Sequence, residues 1–295
     1  MEVETPLLCS ATNPDPHIDS FITTYTGPQA AQGVNLYLQS SPEFAMKRLL
    51  SSGAGAVYQI CKAFRQGELG KLHNPEFSIL EWYRPGFDTV ALVAEVDILM
   101  RELFTAVNKP LGDTQVITYQ HAFQSILDID PLSASAADLI RCAQAQGLTV
   151  TGLCDNDRDA WLDLLMSHVV QPHLGENRMT FVTAYPRSQA ALARTSAHDS
   201  RTAERFELFI SGMELANGFY ELTDALEQKH RFERDLNTRA QSHQHQPPLD
   251  EYLIQALQQG LPDCAGVAVG LDRVIMLLAG AETIAEVLAF PMGRI

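Results

Sequence analysis

The segment from Tyr58 to Arg84, "YQICKAFRQGELGKLHNPEFSILEWYR", decides the fold. Two runs rich in apolar and aromatic residues, 57–64 and 77–84, predict two adjacent β-strands joined by a charged loop. Arg65 lies where the first strand ends, and Asn74 lies where the second begins. Both ends of the loop are therefore held by a rigid scaffold, as a nucleotide site requires. We expect a large anionic ligand here; the alternative is a solvated hairpin tip.

The second of these strands carries a charged residue among aromatic ones. Side chains alternate along a strand, so Phe77, Ile79, Glu81 and Tyr83 share one face. A carboxylate in that position indicates more than core packing.

The remaining patterns predict a mixed order of elements. "SPEFAMKRLLSSG" indicates a helix with Ser41 as its N-cap and Gly53 at its end. Strand-like runs are expected at 180–185 and 205–221, and "GVAVGLDRVIMLLAG" predicts a strand that turns at Gly270 into a helix. Further helices are predicted at 89–107, 118–127, 135–146, 157–170, 223–240 and 249–259. This order favours an α+β fold, an antiparallel sheet flanked by helices, in one domain over 1–295 with a helical insertion at about 111–175.

Charge and composition limit the partners. The chain of 295 residues has 36 acidic and 21 basic residues, a net charge of −15, which opposes binding along a nucleic-acid backbone. Its five cysteines form no C-x-x-C pair, which suits reduced thiols. No signal peptide and no apolar run of about 18 residues is present. We therefore expect a cytoplasmic protein that does not contact a membrane.

Two carboxylates are expected to converge in "ELANGFYEL". In an unbroken strand Glu214 and Glu221 would face opposite sides. A two-residue turn at Asn217-Gly218, or a bulge at Gly218, would bring them together. Converging carboxylates call for a divalent cation or an amine between them.

A third pattern is "GLDR". Gly270 allows a ligand to approach the backbone closely, and Arg273, just inside the helix, can reach a phosphate. A helix-end ion pair is the plainer interpretation.

Together these segments resemble the motifs of class II aminoacyl-tRNA synthetase catalytic domains. "EVETPLL" resembles the end of motif 1, "FRQGELGKLHNPEFSILEWY" motif 2, and "GVAVGLDR" motif 3. "SPEFAMKRLL" and "ELANGFYELTDALEQKHRF" are similar to the lysyl-tRNA synthetase branch. The chain is identified as a member of its short paralogue, the elongation factor P–lysine ligase family, from Glu2 to about Pro291.

The resemblance implies a homodimer and a two-step reaction. ATP and (R)-β-lysine, or lysine, would form an aminoacyl-adenylate, and the acyl group would pass to the ε-amino group of a lysine on elongation factor P. Arg65 and Arg273 would be catalytic. The implied ATP-binding residues are Arg65, Gly67, Glu68, Asn74, Glu214, Leu215, Gly270 and Arg273. The implied amino-acid-binding residues are Ser41, Pro42, Glu43, Tyr83, Glu221 and Ala268. Mg²⁺ would lie near Glu214 and Glu221.

The sequence departs from the class II motifs in three ways. Motif 2 usually reads Arg-x-Glu, but here Gly67 takes that place and Glu68 follows, so the adenine contact is altered or shifted by one residue. The sequence begins inside motif 1, which leaves truncation or an altered dimer interface open. No anticodon-binding OB domain is present, so tRNA is not an expected substrate.

Ala268 stands where lysyl-tRNA synthetases usually carry glycine, which predicts a preference for β-lysine over α-lysine. Two alternatives remain at this point: a truncated lysyl-tRNA synthetase-type enzyme that charges tRNA, and a non-catalytic synthetase-like binding protein.

Overall fold

The computed structural model describes all residues, 1–295. It contains ten β-strands and eight α-helices, numbered here in chain order. The strands are β1 (Leu8–Cys9), β2 (Ile22–Tyr25), β3 (Val34–Leu38), β4 (Val57–Phe64), β5 (Glu76–Pro85), β6 (Gln115–Thr118), β7 (Thr180–Pro186), β8 (Thr202–Ile210), β9 (Met213–Tyr220) and β10 (Cys264–Gly270). The helices are α1 (Glu43–Ser51), α2 (Thr89–Ala106), α3 (Tyr119–Leu127), α4 (Ala136–Ala145), α5 (Arg158–Leu165), α6 (Ala225–Gln241), α7 (Glu251–Gln259) and α8 (Leu271–Ala279).

These elements form two compact units. The first unit comprises Met1–Phe87 and Leu222–Ile295, and the second comprises Asp88–Glu221. That both belong to one catalytic domain stays a prediction.

The first unit is built on two antiparallel sheets. β4, β5 and β10 form one of them in that order, with β5 in the centre. β1, β3 and β2 form the other, which the sequence did not predict. In β4 the side chains alternate between buried and exposed: Val57 and Gln59 are buried, whereas Tyr58 and Ile60 are exposed. The apolar periodicity of 57–64 and 77–84 therefore indicated the right strands.

Helix α1 begins one residue later than the N-cap prediction allows. Pro42 is its N-cap residue, and Ser41 lies outside the helix, where its Oγ accepts a hydrogen bond from the backbone amide of Glu43. The Ser41 hydroxyl also donates to a side chain on β5. The prediction that Ser41 caps the helix was wrong, because that hydroxyl is engaged in tertiary structure.

In the second unit the strand order is β9-β8-β7-β6. All pairs are antiparallel except β6 with β7, which are parallel. The run 205–221 is two strands rather than one, joined by a two-residue turn at Ser211 and Gly212. Both turn residues have positive φ, +52° and +70°, as a type I′ hairpin turn requires.

The helices of the second unit follow the predictions closely. Asp88 caps α2 by accepting from the amide of Ala91. Ser135 and Asp138 form a capping box at the start of α4. The predicted helix 157–170 is an α-helix, α5, continued by one π-helical turn at Met166–Val170. Helices α3 to α5 lie within the predicted insertion and pack around an apolar cluster centred on Phe123, Leu162 and Leu165.

The architecture is thus α+β, with mainly antiparallel sheets and flanking helices, as predicted. None of the helices combines the length and the hydropathy that crossing a membrane requires.

Candidate active site

One face of the β4-β5-β10 sheet collects most of the residues that the sequence singled out. Cross-strand pairs in an antiparallel sheet point to the same face. Glu81 on β5 pairs with Gln59 on β4 and with Ala268 on β10. Tyr83 lies two residues further along β5, on the same face. The shared face of Phe77, Ile79, Glu81 and Tyr83 expected from the sequence is confirmed by this register.

Glu81 is the centre of a hydrogen-bonded group on this face. The Tyr83 hydroxyl donates to Glu81 Oε1 at 2.6 Å, and the Ser41 hydroxyl donates to Glu81 Oε2 at 2.8 Å. Only 2% of Glu81 is exposed. Ser41 and Tyr83, both predicted to bind the amino acid, are therefore brought together by a carboxylate that was noticed as unusual but not assigned to the site.

Helix α1 adds a second carboxylate to this group. Glu43, in its first turn, receives a hydrogen bond from Lys47 Nζ at 2.7 Å. Burial and, to a lesser extent, the Glu43 carboxylate raise the pKa of Glu81 to about 7, although the Tyr83 and Ser41 hydroxyls and the Lys47 ammonium act to lower it. The two carboxylates are close enough to interact, which makes an acidic pocket suited to ammonium groups.

The predicted phosphate-binding residue Arg65 lies on the same face as Glu81. Its guanidinium stacks over the Phe77 ring, 5.1 Å from the centroid, and its terminal nitrogen lies 3.5 Å from Glu68. The buried Arg65 Nε has no hydrogen-bond partner. A buried guanidinium donor without a partner is unusual in a folded protein and suits a phosphate acceptor.

Gly67 and Glu68 follow Arg65 in the loop. Gly67 has φ +83° and open space around the position of a Cβ, so backbone conformation rather than crowding explains glycine there. Glu68 reaches back to Arg65. This geometry supports the interpretation that Glu68 stands in for the missing motif 2 glutamate, which stays a prediction.

Asn74 belongs to the motif 2 loop between β4 and β5, and Arg273 on α8 contacts that loop. The Asn74 side chain donates to the Glu76 carbonyl at 2.7 Å and accepts from the Met292 amide at 3.0 Å. Arg273 donates to His73 Nε2 at 2.6 Å and to the Leu72 carbonyl at 3.3 Å. Of the two predicted ATP ligands, Asn74 is therefore part of the motif 2 loop and Arg273 lies against it.

His73 is a candidate that the sequence interpretation missed. Burial and the neighbouring Arg273 cation lower its pKa, so its Nε2 is an acceptor for Arg273. The sequence shows that His73 belongs to the charged loop, but only the fold shows that it lies beside Arg273, 200 positions away.

Strand β10 shows why "GVAVG" alternates. Gly266, Ala268 and Gly270 pair with Tyr83, Glu81 and Ile79, so they point to the site face. Val267 and Val269 point to the other face and are buried. Small residues on the site side leave space for a ligand. Gly270 has an ordinary backbone conformation, and an added Cβ would meet only Arg273 Cδ at 3.9 Å, so neither backbone strain nor crowding by the protein requires glycine there; close approach of a ligand stays a prediction.

The carboxylates of "ELANGFYEL" lie in the second unit. β9 is continuous through Asn217 and Gly218, so the predicted two-residue turn was wrong. A bulge exists, but at Leu215 rather than Gly218: Leu208 pairs with Ala216 and Phe209 with Glu214, which leaves the buried Leu215 without a partner in β8.

The bulge at Leu215 changes which face of β9 the Glu214 side chain occupies. It shifts the alternation by one residue, so Glu214 shares a face with Asn217 and Phe219. Glu221 follows β9 in the same alternation and is fully buried. The two carboxylates expected to converge are therefore on one face of the strand.

A further carboxylate, Glu207 on β8, was missed. It pairs with Asn217, on the same face as Glu214. The Tyr185 hydroxyl donates to Glu207 at 2.6 Å and Arg205 donates to its other oxygen at 2.5 Å. Burial raises the pKa of Glu207, and the Glu214 carboxylate raises it further, so the two acids lie close together. Only the strand pairing reveals this, since Glu207 precedes Glu214 by seven residues and a turn.

Comparisons with known proteins agree with this geometry. Residues 1–294 match the profile of the tRNA synthetases class II (D, K and N). The chain is 49% identical over 294 residues to the elongation factor P–(R)-β-lysine ligase of Klebsiella pneumoniae strain 342, covering all of this chain and 89% of that protein. The ligases of the same description from Salmonella dublin and Salmonella typhimurium are each 48% identical over the same shares.

The chain belongs to the elongation factor P–(R)-β-lysine ligase family. This confirms the resemblance drawn from the three motifs and places the chain among class II synthetase-like ligases. Enzymes of this class use ATP. The roles of individual site residues remain predictions.

Proposed function

We propose that this protein is an ATP-dependent ligase that activates (R)-β-lysine and transfers it to the ε-amino group of a lysine on elongation factor P. Relatives with these substrates in their description match along the whole chain. The observation that carries the proposal is the sheet face of the first unit, where the acidic group around Glu81 and the guanidinium of Arg65 lie on one surface. An amino acid with two ammonium groups and a nucleotide suit the two ends of that face.

In the proposed amino-acid pocket, Glu43 and Glu81 accept hydrogen bonds from the substrate ammonium groups. Each charge-assisted hydrogen bond of this kind contributes about 1.5–3 kcal/mol. Ser41 and Tyr83 hold the Glu81 carboxylate in place through its two oxygens. Glu221, which lies in the second unit, stays a candidate amino-acid ligand from the family resemblance.

Activation requires no nucleophilic side chain. The carboxylate oxygen of the amino acid attacks the α-phosphorus, a P–O bond forms, and the bond to pyrophosphate breaks. Arg65 binds the α-phosphate and balances the charge that develops there. Arg273, with His73 beside it, and Asn74 are placed at the motif 2 loop to bind the remaining phosphates and orient the nucleotide.

The acceptor then takes the acyl group. The neutral ε-amine of the acceptor lysine attacks the acyl carbon of the adenylate, an amide bond forms, and AMP leaves with the electron pair of the broken C–O bond. The excess proton leaves the amine. Holding both reactants in line supplies most of the rate enhancement in such transfers.

The residues of the second unit fit a magnesium ion. Mg²⁺ in such enzymes is typically held by one or two carboxylates together with substrate phosphates, and the Glu214 carboxylate lies close enough to Glu207 to help raise the pKa of Glu207. We therefore assign Mg²⁺ to Glu214 with Glu207, and keep Glu221 as a further candidate ligand. Bound there, the ion would neutralise phosphate charge.

We also propose that the protein is a homodimer in the cytoplasm. The first unit leaves apolar side chains exposed on β2, β3 and β4, among them Ile22, Val34 and Ile60, the last 57% exposed. Exposed apolar surface of this kind suits a second copy of the chain. All five cysteines are free, which suits a reducing compartment. Analytical ultracentrifugation of the wild type and of Ile60→Lys tests the dimer; a wild-type monomer contradicts it.

Two assays test the proposed function. Exchange of labelled pyrophosphate into ATP, with (R)-β-lysine, α-lysine or no amino acid, measures activation, and we expect β-lysine to be required. Mass spectrometry of elongation factor P after incubation with ATP and (R)-β-lysine measures transfer. Unmodified factor alongside charged tRNA-Lys would replace this proposal with a tRNA-charging enzyme, and no exchange with any amino acid would leave a binding protein.

A further inference from the structure

Lys47 is a buried cation that the proposed mechanism does not use. It lies on α1, only 1% of the residue is exposed, and its Nζ lies 2.7 Å from Glu43 Oε1. Removing a lysine ammonium from water costs several kcal/mol, so such a group persists only with charged or strongly polar partners. In a pocket proposed to receive ammonium groups, a resident ammonium needs an explanation.

The groups around Glu81 show what Lys47 faces. Each neighbouring element contributes to the surroundings of Glu81: the loop before α1, the helix itself, and the three strands. The residues around Glu81 are Ser41, Glu43 and Lys47, then Tyr83 on β5, Gln59 and Cys61 on β4, and Ala268 on β10. The Cys61 thiol is neutral at pH 7, because burial and the Glu81 charge raise its pKa to about 11. Among these residues of the first unit, Glu43, Glu81 and Lys47 are therefore the charged ones.

The sum of these charges matches the substrate. Two carboxylates and one ammonium give −1, whereas (R)-β-lysine, with two ammonium groups and one carboxylate, carries +1. Without Lys47 the carboxylates of Glu43 and Glu81 would together carry −2 when both are ionised. A carboxylate beside a second carboxylate takes up a proton more readily, and the neutral acid binds an ammonium less strongly than the carboxylate does.

We propose that Lys47 is a positioning residue for amino-acid binding: it holds Glu43 in one orientation and favours the ionised form of Glu81, so that the two carboxylates can receive the two ammonium groups. This inference rests on the proposed amino-acid pocket. Lys47 itself contacts Glu43 rather than the substrate, so its effect is on substrate affinity and on how that affinity depends on pH.

The test is Lys47→Met, which keeps the length of the side chain and removes the charge. In pyrophosphate exchange at pH 7, we expect KM for (R)-β-lysine to rise about tenfold or more, the loss of one charge-assisted hydrogen bond. KM should recover toward the wild-type value by pH 8.5, where both carboxylates ionise while the substrate amines remain mostly protonated. KM for ATP should stay unchanged.

Arg48→Met is the matched control. Arg48 is the next residue on α1, is exposed, and stacks over Tyr252 at 5.0 Å. The Arg48→Met substitution removes one positive charge from the same helix turn without changing the pocket, so KM for (R)-β-lysine should not change. If Lys47→Met does not fold, Lys47→Gln and Lys47→Arg replace it, and only the glutamine variant should show the pH-dependent rise.

Two further variants separate this inference from the pocket itself. If Glu43→Gln and Glu81→Gln leave KM for the amino acid unchanged, the pocket assignment is wrong. The inference is overturned if both glutamine variants raise KM but the uncharged Lys47 variants bind (R)-β-lysine normally. It is also overturned if the Lys47 variants lose affinity equally at all pH values and have a lower Tm, because Lys47 then serves only the fold.

Discussion

Ala268 lies directly opposite Glu81 in the antiparallel ladder between β10 and β5. Paired residues of such a ladder have their Cβ atoms about 4.5–5.5 Å apart on one face. The only side-chain carbon of Ala268 therefore points to the proposed amino-acid pocket, next to its central carboxylate. The structure supports the hypothesis, first drawn from the sequence, that this methyl group affects which lysine is activated.

We predict that Ala268→Gly shifts activation toward α-lysine without abolishing adenylate formation. A methyl-sized change in a pocket is worth about 1–3 kcal/mol, or roughly 10- to 200-fold in specificity. Pyrophosphate exchange with each lysine, on both proteins, gives the ratio. A lower Tm with an unchanged ratio would mean that Ala268 only packs against its neighbours.

Arg65→Ala should remove most pyrophosphate exchange. The lost contact to a transition-state charge costs roughly 3–4 kcal/mol, about a hundredfold or more in rate. Lys62→Ala is the control: Lys62 is a cation on the same strand whose ammonium binds Ser78, on the opposite face. Equal losses in the two variants would remove Arg65 from its catalytic role.

The ionisation of Glu81 predicts a pH dependence for amino-acid use. Burial and Glu43 raise its pKa to about 7, and the carboxylate form binds an ammonium more strongly than the neutral acid does. The value of kcat/KM for (R)-β-lysine should therefore rise between pH 6 and 8 and then level off, and Glu81→Gln should lower and flatten the profile. A wild-type profile that is flat over this range would contradict the assignment.

The raised pKa of Glu81 also predicts how the free energy of unfolding depends on pH. The folded state binds a proton at Glu81 more readily than the unfolded state does, because the pKa is raised from 4.5. The contribution of this group to the free energy of unfolding should therefore be greatest below about pH 4.5 and fall as pH rises toward 7. Urea unfolding of the wild type and Glu81→Gln at pH 5 and pH 8 measures the difference.

Glu207→Gln should raise the Mg²⁺ concentration needed for half-maximal exchange, by about 10- to 100-fold. Glu204→Gln serves as control, since Glu204 is on the same strand but accepts a hydrogen bond from Thr89. A magnesium titration of pyrophosphate exchange by the wild type and both variants measures this requirement. An identical Mg²⁺ requirement in all three proteins would exclude Glu207 as a ligand.

The capping box of α4 offers a test of the fold. Ser135→Ala removes the Oγ that accepts from the Asp138 amide and should lower the free energy of unfolding by about 1 kcal/mol. Ser125→Ala, within α3, should have a smaller effect, because Ser125 bonds only a carbonyl of its own helix. Equal stability of wild type and Ser135→Ala in urea would contradict the prediction.

The sequence by itself determined the elements whose causes are local. Strand alternation defined β4 and β5, and the side chains of Asp88 and Ser135 marked where α2 and α4 begin. The residue order of the motifs was likewise sufficient to indicate the family, because a motif is a property of the sequence. Each of these signals acts between residues only a few positions apart.

Only the tertiary structure decided the relations between distant residues. The hairpin turns at Ser211-Gly212 rather than Asn217-Gly218, because the pairing of two whole strands outweighs the preference of one dipeptide. Glu207 reaches Glu214 only through that register. The same holds for Ala268 beside Glu81. Which side chains meet across strands depends on register, and register is set by the packing of whole sheet faces, which no short stretch of sequence contains.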